Sequence, residues 1–166
     1  MARLTLAFNQ LRQTREYTQR LLASVPAADW TRQPNEGITH VAWQVGHLAM
    51  AEYRLCLDRV RGRRAGDAEL ISDDFLARFG RESVPDADPK KNPSIEELRA
   101  TFDRVHEQTL RELNELSEAD LDQPTLKPHP IFNTKLGAIV WCSHHEMLHA
   151  GQIGLLRRLL GHPPIW

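Results

Sequence analysis

Four stretches of this chain repeat apolar residues at helical spacing, and breakers separate each from the next. In the first, Leu4, Phe8, Leu11, Thr18 and Leu22 follow i, i+3, i+4 steps until Pro26 stops the run. The second runs from about Thr39 to Arg61, behind the loop QPNEG. The third follows PDADPKKNPS, where Ser94 and Glu97 form the Ser-x-x-Glu pattern that closes free backbone N–H groups at a helix start. Behind it Ile95, Leu98, Phe102, Val105, Leu113 and Leu116 mark one stripe. The fourth begins near Asn133 or Thr134 and ends at Gly161, ahead of Pro163 and Pro164. A short helix is expected from Asp73 to Phe79, and nothing alternates as a strand would. The expected fold is all-α: a four-helix bundle, one domain over residues 1–166, with a long connection from 62 to 93 between helices two and three.

Charge narrows the function. Twenty-one basic residues against 22 acidic ones leave a net charge of -1, which gives no footprint for nucleic acid or an anionic membrane. No apolar run approaches the roughly 20 residues that span a bilayer. The opening MARLTLAFNQLRQTREY turns charged too early for a signal peptide. Cys56 and Cys142 are too few for a disulfide framework, so a reducing cytoplasm is the expected location. The eight histidines are what composition leaves unexplained.

Three of those histidines fall within HHEMLHAGQIG, residues 144 to 154. At about 100° per residue, His145 and His149 lie one turn apart on the face that carries Ala138, Trp141, Cys142, Ile153, Leu156 and Leu159. Ser143, Gly154, Arg157 and Arg158 fall on the opposite side, expected to face solvent. In the second helix, His47 shares a face with Trp43, Met50 and Ala51. His40 is two turns before it, and Arg54 and Asp58 follow at ion-pair spacing. An unpartnered buried polar group costs roughly 1–3 kcal/mol, so inward imidazoles need partners. If helices two and four are neighbours, His47, His145 and His149 meet at one depth. Three neutral imidazoles suit zinc, nickel, copper or iron, and they leave coordination positions open, as a catalytic ion requires. A water on such an ion has its pKa lowered to about 7.

The blander alternative is a pair of core-edge histidines bonded to backbone, Asp58 or Glu146. Cys142 reads as a small buried residue or a fourth ligand. Glu52 falls off the His47 face and reads as a solvated charge. His106 and His162 read as surface residues, His129 as part of a loop, and His144 as a quarter-turn off the site.

The stretches AWQVGHLAMAE and HEMLHAGQIGLLRRLLGHPP resemble the DinB/YfiT-like superfamily of metal-binding four-helix bundles. The likeness covers the whole chain, since the first helix's exit, LLASVPAADWTRQP, fits as well. The resemblance implies a metal triad of His47, His145 and His149, a divalent ion (zinc or nickel), and a homodimer. It also implies an enzyme acting on a small molecule, either an S-transferase using a low-molecular-weight thiol or a hydrolase. A non-catalytic metal-binding bundle with a structural, sensing or stress-related role is the alternative. Two positions depart from the family pattern: Ala150 stands where arginine is frequent, and His40 where a capping serine or threonine is. Arg54 either pairs with Asp58 or receives a substrate carboxylate.

Overall fold

The computed structural model describes residues 2–165, which form helices and loops without a strand. The long helices are α1 (Ala2–Ala23), α2 (Val41–Glu52), α3 (Ile95–Leu113) and α4 (Lys135–Leu159). Three of them begin where a side chain accepts a backbone N–H that the helix cannot satisfy. The acceptors are His40 Nδ1 from Trp43, Ser94 Oγ from Glu97 and Thr134 Oγ1 from Gly137, each at 3.1 Å. The reciprocal capping box sits not at Ser94 but at Ser117 with Asp120, ahead of the short helix Glu118–Leu121. Gly161 closes α4 at φ +92°, and the N–H groups of Gly161 and His162 reach the carbonyls of Arg158 and Arg157.

Helix α1 packs along α4, α2 packs along α3, and α2 also touches α4. The connection from 62 to 93 carries the expected short helix, Asp73–Arg78, against α2. Phe75 and Phe79 enter the core there with their rings 4.7 Å apart. Gly46 makes that approach possible, because a Cβ on it would lie 2.5 Å from the Phe79 ring. Helix α2 is thus enclosed almost all round: only Trp43 and His47 of its twelve residues are not fully buried.

That enclosure corrects two expectations. Glu52 is not solvated, because α2 has no solvent face to offer it. It is 1% exposed and accepts from Arg15 Nη2 at 2.7 Å. His106 is buried too, with Nδ1 2.9 Å from Glu52 Oε1. Arg15, from α1, also donates to Glu146 on α4 at 2.9 Å and to the Phe102 carbonyl on α3 at 2.9 Å. Its guanidinium carbon lies 3.4 Å from the Phe102 ring centroid. One side chain therefore ties α1 to the other three long helices. Burial pushes the Glu52 carboxyl up, but Arg15 and His106 outweigh it and hold the group below the usual carboxylate range.

Helix α4 yields further corrections. Ser143 and Arg157 are buried, because α1 covers the side of α4 expected to meet solvent. Leu159, expected in the core, is half exposed near the helix end. His162 does not stand free at the surface: its Nε2 meets Asp29 Oδ2 at 2.7 Å and fastens the end of α4 to the loop after α1.

Candidate metal centre

Helix α2 supplies His47, and α4 supplies His145 and His149. The ring of His47 lies 5.3 Å from that of His145 and 4.7 Å from that of His149, and the two rings on α4 are 4.5 Å apart. Each offers one nitrogen, and the three nitrogens lie within 4.8 Å of one another. Among the described residues this is the group of histidine, cysteine or acidic side chains that could hold a metal ion.

Hydrogen bonds set which nitrogen two of the rings, His47 and His149, offer. His47 Nδ1 lies 2.9 Å from the Phe79 carbonyl, which can only accept, so the proton is on Nδ1 and Nε2 keeps its lone pair. His149 Nδ1 donates likewise to Gln44 Oε1. Gln44 is held in turn, its Nε2 donating to Gln152 Oε1 at 2.9 Å and to Thr39 Oγ1 at 3.3 Å. Trp43 stacks on His47 at 4.7 Å with 13° between the planes. Such outer contacts fix ring orientation and raise ligand basicity.

Burial favours the neutral form of all three rings. It lowers the pKa of His47, and with the neighbouring imidazoles it takes His145 down to about 4 and His149 to about 3. At neutral pH the cluster therefore consists of three unprotonated donors, two with a fixed tautomer. That donor set fits a divalent metal ion.

The other candidates lie elsewhere. Cys142 is buried against Cys56, and both thiols are free. His40 spends both nitrogens on structure, Nδ1 capping α2 and Nε2 donating to the Asp86 carbonyl at 3.0 Å. It caps the helix as a serine or threonine side chain would. His144 is exposed, edge-on to Trp141 with centroids 6.4 Å apart.

Arg54 and Asp58 do not pair, and the reason is helical geometry. Beyond Glu52 the helix continues as a π-helical segment, Tyr53–Asp58, before an α turn at Arg59–Arg61. The Arg59 N–H reaches the Arg54 carbonyl, an i to i+5 bond. Asp58 instead takes Lys127 Nζ at 2.6 Å. The widened turn sets Arg54 and Arg59 together on a cleft of about 470 Å³. His47 and His145 line that cleft, and Met50, Leu55 and Trp141 give its lining an apolar part. His129, left in a loop by the sequence, and Arg81 line it as well. Sequence reasoning missed Gln44, Phe79, Arg59 and Arg81. Only Gln44 carried a signal, an amide one turn before His47.

Comparison with known proteins adds two findings. The family model described as the DinB superfamily matches residues 10–153. The crystal structure of a conserved protein from Enterococcus faecalis superposes with a TM-score of 0.72 at 18% identity, covering 93% of this chain and 95% of that one. That likeness is one of fold. No curated protein matches the chain.

Proposed function

This chain belongs to the DinB superfamily, and we propose that it is a metal-dependent enzyme acting on a small molecule, with zinc or nickel held by His47, His145 and His149. The observation that carries this reading is that three neutral imidazoles converge while two of them also line an open cleft. A divalent ion held there would supply Lewis acidity, lowering the pKa of a water or thiol placed beside it. The protein's own residues do the rest. Phe79 and Trp43 hold the His47 ring, while Gln152 and Thr39 hold the Gln44 amide that orients His149. Because burial keeps the rings unprotonated, no proton has to leave before an ion enters. Met50, Leu55 and Trp141 offer a bound substrate an apolar flank that displaces water.

Two reactions suit such a site: transfer of a low-molecular-weight thiol to an electrophile, and hydrolysis. A purely structural ion would call for a fourth protein ligand. The two candidates for it are engaged elsewhere, Cys142 with Cys56 and Asp58 with Lys127. The homodimer implied by the family resemblance belongs to the same proposal. The test is to assay zinc- and nickel-loaded protein against paired thiols and electrophiles, and against esters and amides. The proposal expects turnover that chelation abolishes, that added metal restores, and that His149→Ala lacks. Turnover that survives both chelation and that substitution would sink it.

A further inference from the structure

We propose that the cleft beside the imidazoles selects a substrate bearing an anionic group, a carboxylate or a phosphate ester, which Arg54, Arg59 and Arg81 receive. The inference deepens the metal-enzyme reading and rests on it only for what happens at the ligand's other end.

Elsewhere in the protein, two arginines reaching into the structure meet carboxylates: Arg15 meets Glu52 and Glu146, and Arg61 meets Asp67 and Glu112. Arg157, buried on α4 away from the cleft, is an exception and leaves its Nε without a hydrogen-bond partner. Among the described residues, none of the three cleft arginines has a carboxylate within 4.0 Å. Arg54 has a single long hydrogen bond, 3.5 Å to the Leu76 carbonyl. Arg59 keeps its Nε buried with no hydrogen-bond partner. Asp58, on the same turn, pairs with neither: its Oδ2 is held by Lys127, and its Oδ1 is buried without a hydrogen-bond partner.

The backbone points the same way. In an α-helix, residues five apart are rotated by about 140° relative to one another, so Arg54 and Arg59 would diverge. The π turn, closed by the Arg59 N–H on the Arg54 carbonyl, brings them to one side. Helices adopt such turns infrequently, and often at functional sites. Two guanidiniums on one side of the π-helical continuation beyond α2, with Arg81 from the connection lining the same cleft, make a fork suited to a planar or tetrahedral anion. The cleft's volume of about 470 Å³ suits a small ligand. Such a ligand would lie with its anion on the arginines, its body along Met50, Leu55 and Trp141, and its reacting group at the imidazoles.

The test is calorimetric titration of the full chain, metal-loaded and metal-free, with hexanoate, hexyl phosphate and hexanol. The two protein forms separate binding at the arginines from binding to the ion itself. The expected result is that at least one anion binds ten times or more tighter than hexanol in both forms. The tighter of the two identifies the headgroup. Arg54→Gln and Arg59→Gln should each weaken that anion by about tenfold or more while leaving hexanol binding and zinc content unchanged. Arg81→Gln, at an exposed position, should act in the same direction without risk to the fold. Anions that bind no better than hexanol, anions that do not bind, or arginine variants that bind them like wild type would each overturn the proposal. So would anion binding that disappears with the metal. Zinc content of the same samples keeps the two readings apart. Protein that takes no zinc yet binds anions through its arginines contradicts the metal reading alone, and protein that takes zinc and ignores anions contradicts this one.

Discussion

Protonation of three imidazoles decides what the centre can bind, and their surroundings set it. His145 and His149 have folded-state pKa values of about 4 and 3, below the roughly 6.5 of an exposed ring. Unfolding therefore takes up protons at mildly acidic pH. The stability these rings contribute is present above about pH 6.5 and is lost as pH falls towards 4, by up to about 1.4 kcal/mol per pH unit for each ring. Metal-free wild type should accordingly lose melting temperature between pH 7 and pH 5 more steeply than a His145→Leu, His149→Leu double variant; equal slopes would contradict the account. Gln44 is the second residue to probe. Gln44→Ala frees the His149 ring from its acceptor and should weaken zinc binding by about 10- to 100-fold, read by competition with a chelating dye. The three histidines were legible in the sequence because a simple helical wheel sets them on inward faces. Phe79 was not, since it acts through a carbonyl that every residue possesses.

Regular helices were read well from sequence, and the irregular one was not. Three of the four long helices start within a residue or two of their expected caps because Ser94, Thr134 and His40 occupy positions whose chemistry is local. The wheel holds along α2 up to Glu52 and fails at Tyr53, where the π segment shifts every later side chain. That shift is why Asp58 left Arg54 and why Arg59 took its place, and nothing in the pattern YRLCLD announces it. Gly46 is where this helix and the connection depend on each other. Gly46→Ala puts a methyl into the buried Phe79 ring and should cost about 1–3 kcal/mol. Because the Phe79 carbonyl orients His47, the same variant should also bind zinc more weakly. Unchanged stability together with unchanged affinity would mean that the connection does not position the ring.

The whole molecule is organised around a charged core, one member of which, Glu52, the helical wheel had placed in solvent. Arg15, Glu52 and Glu146 are 3% exposed or less, and their partners lie on other helices, so no single segment reveals them. Arg15→Ala strands two buried carboxylates and should destabilise the protein by about 3–5 kcal/mol in urea denaturation. A loss under 1 kcal/mol would show that the network is incidental to the bundle. No helix among the described residues is long and apolar enough to cross a membrane. The arrangement brings α2 and α4 together at the depth where three imidazoles meet, and the central claim is that they meet to hold a metal. Metal content by mass spectrometry on untagged protein, wild type beside His149→Ala, tests it most directly. The account predicts close to one zinc or nickel per wild-type chain and little in the variant. Wild type that stays empty after incubation with both metals would contradict it and leave the triad as a polar cluster in the core.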